Sequence, residues 1–219
     1  MSTGEIILVI VVALVLFSLK KLGDISRGLG KGAERFADTV KDTLGEGGSE
    51  RCDALMLWIA QGFGSGLVPK APGTFGSIVG LLWTAVLLTT ANPWLYLLGA
   101  MLGVLASVWL CGEAERILGA HDPGSVVIDE IIALPICFIA FLWPEAARTG
   151  QLPSVEHVFV ENWPWVLAVF ALFRLFDVVK PWPVKQSQVL PGGLGVTADD
   201  VLAAGYVNLV LVVGMAVRG

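Results

Sequence analysis

The chain has 219 residues, of which 55% are hydrophobic and only 15% are charged, and its formal net charge is −5. Soluble domains carry about 25% charged residues, so this composition predicts a membrane protein and excludes a disordered chain. The net negative charge argues against a nucleic-acid partner, and three cysteines without a CxxC motif argue against a disulfide framework or a zinc site.

The first 50 residues predict a membrane anchor followed by an interfacial helix. An apolar run at 6–19 has Glu5 before it and Lys20-Lys21 after it, so it lacks the basic start of a secretory signal and is expected to be retained. Apolar residues then recur every three or four positions over 22–44, which predicts an amphipathic helix with a basic second face. The stretch 45–50 is predicted to be a flexible linker that separates a unit at 1–50 from one at 51–219.

This first unit resembles a TatA-type subunit of the twin-arginine translocase. The resemblance depends on the short anchor with Phe17 at its end, on Lys20-Lys21-Leu22, and on the glycine-containing amphipathic helix. A plain anchor with an interfacial helix is the alternative interpretation. A further expectation is a homo-oligomer that forms through the anchor.

The rest of the chain predicts an all-α, polytopic membrane protein with about five further membrane helices. Backbone groups in lipid must pair within their own segment, so long apolar runs are expected to be helical. If the anchor and these runs each cross once, every Lys and Arg except Arg148 and Arg218 falls on one side, and the positive-inside rule makes that side cytoplasmic. The five runs are Ile78–Leu88, Trp94–Leu110, Ile131–Trp143, Trp163–Phe176 and Val201–Val217.

Two polar stretches precede apolar runs on the predicted cytoplasmic side. In the glycine-rich stretch 62–77, Thr74 or Ser77 is expected to open a helix whose N-terminus favours an anion, the alternative being a turn-rich helix entrance. In the stretch 121–130, the adjacent carboxylates of Asp129 and Glu130 are costly at a membrane boundary unless paired, metal-bound or hydrated. The alternative is an acidic first turn that complements the helix dipole.

Two further polar stretches lie nearer the C-terminus. Arg174 and Asp177 are three residues apart and share a helix face, and Lys180 precedes the Pro181 that is expected to end the helix. The alternative to a functional role is an intramembrane Arg174–Asp177 pair with Lys180 reaching to the interface. In 192–200, the Thr197-x-x-Asp200 spacing matches an N-terminal capping pattern, which explains Asp200 but not Asp199.

Together these stretches predict a Mg²⁺ site that acts on phosphate. Mg²⁺ binds through a few carboxylates, water and substrate phosphate, and it polarises a phosphoryl oxygen and activates water. A site at the cytoplasmic membrane surface meets lipid head groups, so phosphoryl transfer or hydrolysis there is the expected chemistry. The acidic candidates are Asp129, Glu130, Asp177, Asp199 and Asp200, and the basic candidates are Arg174, Lys180 and Lys70.

The four stretches, in this order, resemble phosphatidylglycerophosphatase A of bacteria. The matching pieces are GFGSGLVPKAPGTFGS at 62–77, HDPGSVVIDE at 121–130, FRLFDVVKPWP at 173–183 and GGLGVTADD at 192–200, with Ala133 as a departure where glycine is expected. The resemblance implies Mg²⁺-dependent hydrolysis of phosphatidylglycerol phosphate, a membrane phospholipid substrate, to phosphatidylglycerol and phosphate in the inner membrane.

Site roles can be assigned within this resemblance. Asp129, Asp199 and Asp200 are the expected metal ligands, and Glu130 and Asp177 are expected either to bind the metal or to act as base. Arg174 and Lys180 are expected to hold the phosphate. The residues expected to shape the substrate entrance are Lys70, Gly64, Ser65, Thr74 and His121.

Other classes fit the sequence less well. A cysteine phosphatase needs C-x5-R, whereas Cys111 and Arg116 are separated by four residues, and neither a D-x-D pair nor the signature of CDP-alcohol transferases is present. Without a covalent nucleophile, water is the expected attacking group. A scaffold or translocation component, in which residues 1–50 confer function, is one alternative. An ion transporter is another, although transport sites usually lie near the bilayer midplane.

Overall fold

A computed structural model describes residues 48–218, and the predicted anchor, the amphipathic helix and the first part of the linker lie outside this range. All secondary structure within 48–218 is helical, as the sequence predicts. The α-helices are α1 Gly48–Ala60, α2 Pro72–Leu88, α3 Pro93–Leu118, α4 Ile128–Cys137, α5 Ile139–Thr149, α6 Trp163–Val179, α7 Val184–Ser187 and α8 Gly193–Arg218; a 3₁₀ segment covers Gly62–Leu67 and a π-helical turn covers His157–Glu161.

Local sequence explains where the long helix α3 begins and ends. The Asn92 side chain accepts hydrogen bonds from the backbone N–H groups of Trp94 and Leu95, at 2.9 and 3.2 Å, and Pro93 occupies the first helical position. Both features stabilise a helix N-terminus. At the other end, Gly119 adopts a left-handed conformation with φ 64°, which ends the helix without steric strain.

The helices pack around two clusters of buried apolar residues. One cluster contains Phe138, Phe173 and Leu134 and lies between α4, α5, α6 and α8. The other contains Val127 and Ile131 and lies at the end of the molecule where the polar stretches meet. Helix α2 crosses α4 closely because Gly80 has no side chain: a Cβ there would lie 2.9 Å from the Ile131 carbonyl oxygen.

The expectation of about five further membrane helices exceeds what the structure supports. Two helices within 48–218 are long and apolar enough to cross a membrane, at Pro93–Leu118 and Gly193–Val217, and the bent pair α4–α5 would be a third. Helices α2 and α6 have 17 residues each. That length is about 26 Å, short of the ~30 Å hydrocarbon core.

The predicted run Ile131–Trp143 is two helices and not one. Helices α4 and α5 meet at Phe138 with a bend of 44°. The Asn208 side chain of α8 enters the gap, where its Oδ1 accepts from the Ala140 N–H at 2.7 Å and its Nδ2 donates to the Ile136 carbonyl at 2.8 Å. In a continuous helix Ala140 and Ile136 would bond to each other, so Asn208 replaces that hydrogen bond with two of its own.

Two predicted helix starts are also wrong. Helix α8 begins at Gly193, so Thr197 lies inside the helix, where its hydroxyl is 3.0 Å from that of Ser107 in α3. Thr197 therefore joins two helices and caps neither. Helix α2 begins at Pro72, and Thr74 and Ser77 lie within its first two turns. In both cases proline or glycine allows the helix to start earlier than the polar residue suggests.

Candidate active site

Three carboxylates meet where the start of α4 approaches the start of α8. Asp129, Glu130 and Asp200 each place one oxygen within 4.8 Å of the others. Asp129 and Asp200 are 7% and 3% exposed, and the Glu130 side chain is 13% exposed. Asp129 and Glu130 occupy the first turn of α4, where the helix dipole favours negative charge, and the Glu130 N–H donates to Asp129 Oδ1 at 3.1 Å.

This cluster fits a bound divalent cation. Glu130 Oε2 is buried and has no hydrogen-bond partner among the described residues, which is costly for a carboxylate. Closely spaced buried carboxylates also repel one another unless a cation or a proton lies between them. Carboxylate oxygens are hard ligands of the kind that Mg²⁺ and Ca²⁺ prefer. The donor set is therefore suited to a divalent metal ion.

Arg174 connects α6 to this cluster. Its Nη1 lies 2.8 Å from Asp177 Oδ2 and 3.5 Å from Glu130 Oε1. The same nitrogen donates to the Ser77 hydroxyl of α2 at 3.4 Å. The predicted i, i+3 pairing of Arg174 with Asp177 is present, whereas the Ser77 contact was not predicted from the sequence. Arg174 is thus held by side chains from three helices.

Gly73 makes room for this arrangement. A Cβ atom at Gly73 would overlap Glu130 Oε1 and would lie 3.0 Å from Arg174 Nη1. The Gly73 carbonyl also accepts a hydrogen bond from the Ser77 hydroxyl at 2.8 Å. The glycine-rich stretch therefore contributes to the site partly through a missing side chain, because the backbone of α2 lies directly against the carboxylate.

Lys180 lies at the end of α6, next to the Pro181 that was predicted to end it. It adopts a left-handed conformation with φ 46°, and its ammonium group contacts Asp199 Oδ2 and lies 3.9 Å from Asp177 Oδ1. Burial disfavours the charged ammonium, but the hydrogen bond to Asp199 and the negative charges of Asp199 and Asp177 outweigh it, so the pKa of Lys180 lies above its ordinary value. Lys180 is therefore a cation at neutral pH.

Asp199 is placed differently from the other acidic residues. It is 4% exposed, and its Oδ2 accepts hydrogen bonds from Lys180 and from Gln188 Nε2, the latter at 3.0 Å. Its Oδ1 accepts from the Asp200 N–H at 3.0 Å. The sequence grouped Asp199 with Asp129 and Asp200, whereas the structure places Glu130 in that group and gives Asp199 partners of its own. Gln188 was missed, and the signal for it was its position between two predicted site motifs.

The glycine-rich loop borders the site on the α4 side. Its backbone turns through Gly64, with φ 95°, and the hydroxyl of Ser65 is buried without a hydrogen-bond partner among the described residues. Gly66 packs against the carbonyl of Ser125, which precedes α4. The candidate Thr74 lies on α2 and is partly buried, and Lys70 is exposed. The structure thus brings this loop to the segment that leads into Asp129.

His121 lies at the edge of the site. Its ring is 64% exposed, and its Nδ1 is 2.5 Å from Glu115 Oε1, which also accepts from the Asp122 N–H at 2.8 Å. His121 also lines a half-open pocket of about 130 Å³. Its lining residues are His121, Asp122, Gln188, Gly195 and Val196.

Comparisons with known proteins agree with both resemblances. A family model described as phosphatidylglycerophosphatase A matches residues 58–215, and the mttA/Hcf106 family model matches residues 1–44. The chain is 38% identical to phosphatidylglycerophosphatase A of Haemophilus influenzae, over 70% of this chain and 84% of that protein. It is 39% identical to the protein of the same name from Escherichia coli K12, over 66% of this chain and 74% of that protein.

A third relative carries a different name. The putative phosphatidylinositol-3-phosphatase of Bacteroides thetaiotaomicron is 36% identical, over 78% of this chain and 99% of that protein. No solved structure matches the chain. The family model covers most of the chain, including all four polar stretches that form the candidate site. The chain belongs to the phosphatidylglycerophosphatase A family.

Proposed function

We propose that the chain is a lipid phosphatase that hydrolyses phosphatidylglycerol phosphate to phosphatidylglycerol and inorganic phosphate, with Mg²⁺ as cofactor. The observation that carries the proposal is the buried group of Asp129, Glu130 and Asp200 next to the cation Arg174. The site has more acidic side chains than cations to pair with them. Such a site suits a divalent ion, which would balance the excess negative charge, and a phosphate bound beside it. The names of two relatives support the choice of lipid.

Asp129, Glu130 and Asp200 would hold the metal ion in this proposal. Their oxygens already lie within 4.8 Å of one another, and Glu130 Oε2 needs a partner. When bound, a divalent cation polarises a phosphoryl oxygen and makes a water molecule more acidic. Asp199 would stabilise Lys180 through their direct contact and would not itself bind the ion.

Arg174 and Lys180 would bind the phosphate. A guanidinium group has five N–H donors in a planar fork, and the contacts of Arg174 with Asp177, Glu130 and Ser77 all involve Nη1. Its other nitrogens would then be free to donate to phosphate oxygens, and the Lys180 ammonium would add a point charge.

Asp177 would accept the proton of the attacking water. Arg174 and Lys180 both contact this carboxylate, which places it next to the phosphate they would bind. In the reaction the water oxygen bonds to phosphorus while the bond from phosphorus to the glycerol oxygen breaks. The water proton passes to Asp177, and the leaving alkoxide takes a proton from solvent. Glu130 is the second candidate for the base.

We further propose a multi-pass protein of the bacterial inner membrane with the site on the cytoplasmic side. The site residues come from segments on the basic side of the predicted topology, whereas the loop at Ala91 pairs with Leu152 at the opposite end through a 2.8 Å hydrogen bond. The positive-inside rule then assigns the orientation. In this proposal residues 1–50 form an anchoring unit that could bring copies together, and 51–219 form the enzyme.

A substrate panel tests the choice of lipid. Purified protein in detergent micelles with Mg²⁺ would be given phosphatidylglycerol phosphate, phosphatidylinositol 3-phosphate and phosphatidic acid, and phosphate release would be measured. The proposal predicts the highest kcat/KM for phosphatidylglycerol phosphate. A higher kcat/KM for phosphatidylinositol 3-phosphate would mean that this lipid is the preferred substrate, in line with the name of the Bacteroides relative.

A further inference from the structure

A small, half-open pocket with both polar and apolar walls lies next to Asp199, the partner of Lys180. Its volume is about 130 Å³, and its walls come from the loop after α3, from Gln188 and from the first turn of α8. The residues lining it include Asp122 and Gln188, and neither has a role in the reaction proposed above. The cavity is therefore a separate feature that needs its own explanation.

Gln188 connects this cavity to the candidate site. Its Nε2 lies 3.0 Å from Asp199 Oδ2, and the same oxygen accepts a hydrogen bond from Lys180. A ligand whose phosphate binds Lys180 would thus place the atoms next to that phosphate near the cavity. In phosphatidylglycerol phosphate those atoms belong to the terminal glycerol unit, which carries a free hydroxyl group.

The chemistry of the cavity suits hydroxyl groups better than phosphate. The Nε2 of Gln188 donates to Asp199 Oδ2, so the carbonyl oxygen is the end of this amide that can accept a further hydrogen bond. Asp122 lines the cavity, and Glu115 lies behind His121. Acceptors and negative charges bind hydroxyl donors and repel phosphate oxygens.

The size of the cavity fits a short polyol. The pocket is half-open to solvent and has a volume of about 130 Å³, which is room for several water molecules. A three-carbon unit with one or two hydroxyl groups fits in a space of this size.

We infer that this cavity binds the glycerol unit of the head group, and that the Gln188 carbonyl oxygen accepts a hydrogen bond from its hydroxyl. Gln188 is thereby a specificity-determining residue. The inference rests on the proposed function, because it assumes that Arg174 and Lys180 hold the phosphate of the same ligand.

The test compares two soluble probes, sn-glycerol 3-phosphate and inorganic phosphate, with the full chain in micelles and Mg²⁺. Their binding is measured as competitive inhibition and, independently, as a ligand-dependent thermal shift. For Gln188→Leu the inference predicts a five- to tenfold weaker affinity for glycerol 3-phosphate, the loss expected for one hydrogen bond, and an unchanged affinity for phosphate. Gln186→Leu is the matched control, since Gln186 is exposed on the short helix that Gln188 follows.

Two outcomes would overturn the inference. Equal weakening for both probes would mean that Gln188 only positions Asp199, and no change for either would mean that the cavity is not used. If Gln188→Leu does not fold, His121→Leu, which changes another lining residue with a 64% exposed side chain, is judged by the same selective loss. The protein could also bind glycerol 3-phosphate selectively but release no phosphate from phosphatidylglycerol phosphate. That result would support the glycerol subsite and refute the proposed function.

Discussion

At the scale of single residues, Arg174 is the cation that lies next to two of the carboxylates of the site. Its Nη1 contacts carboxylates on two helices and the hydroxyl of Ser77 on a third. The side chain is 20% exposed, so these contacts are poorly screened by water. Removing the fork of donors would leave Asp177 and Glu130 facing each other without the cation between them.

Arg174→Lys tests the need for the guanidinium group. The substitution keeps the charge but removes the planar fork, so we expect kcat/KM for phosphate release to fall on the order of a hundredfold, as when one donor to a transition-state oxygen is lost. The thermal midpoint in micelles should change little, because a cation remains beside Asp177. If the variant turned over as fast as the unaltered protein, the guanidinium group of Arg174 would have no role in the reaction.

Gly73→Ala tests the close approach of α2 to Glu130. The added Cβ would overlap Glu130 Oε1, so the carboxylate must move and metal binding should weaken by tenfold or more, on the order of the loss seen when the surroundings of a metal ligand are altered. Binding can be followed with Mn²⁺ by electron paramagnetic resonance.

The matched control for this variant is Gly205→Ala on α8. A Cβ at Gly205 meets nothing within 4 Å, and alanine is the better helix former, so neither activity nor stability should fall. If Gly73→Ala binds Mn²⁺ as tightly as this control, Glu130 does not hold the ion.

At the scale of helices, the break between α4 and α5 depends on a polar side chain from α8. Asn208 satisfies the Ile136 carbonyl and the Ala140 N–H, and Tyr96 of α3 donates to the neighbouring Pro135 carbonyl at 2.8 Å. Without water in the membrane, these backbone groups would otherwise be unsatisfied. The break also fixes α8, which carries Asp200, against α4, which carries Asp129 and Glu130.

Asn208→Leu is expected to destabilise the protein by roughly 2–4 kcal/mol, because two buried backbone groups lose their partners. Unfolding in SDS–detergent mixtures would measure the change. Asn208→Asp keeps the acceptor for the Ala140 N–H, so its stability should lie between that of the original protein and that of the leucine variant. Stability of the leucine variant equal to that of the original would contradict the assigned role of Asn208.

The helical fold and most of the site could be predicted from the sequence, because apolar runs and charged residues at their ends are local signals. The break at Phe138 could not, since the residue that fills it lies 72 positions beyond Ile136. Gln188 and the contact of Ser77 with Arg174 were missed for the same reason: the partners Asp199 and Arg174 come from other parts of the chain. The start of α8 was misplaced because Thr197 matches a cap but bonds to Ser107 instead.

At the scale of the whole molecule, the site and the N-terminal unit are separate in sequence. The contacts that form the site join residues between Gly73 and Asp200, whereas the mttA/Hcf106 match ends at residue 44. The first described helix begins at Gly48, within the stretch predicted to be a linker. The anchor is therefore expected to serve location or association, and the remainder to serve catalysis.

Deletion of residues 1–47, which leaves α1 intact, is expected to retain kcat/KM within about threefold, since no candidate site residue is removed. Light scattering in detergent would show whether the deletion lowers the oligomeric state. Loss of all activity from a folded, membrane-inserted 48–219 chain would make the N-terminal unit part of the enzyme and favour the scaffold alternative.

The proposed phosphatase activity depends on buried carboxylates that hold a divalent ion. The most direct measurement is phosphate release from phosphatidylglycerol phosphate by the purified full chain with Mg²⁺, with a chelator, and with Asp129→Asn. We expect release that depends on Mg²⁺ and falls at least a hundredfold in the variant, as when a charged group essential to the transition state is removed. Release that persists in chelator, or in folded Asp129→Asn, would contradict it.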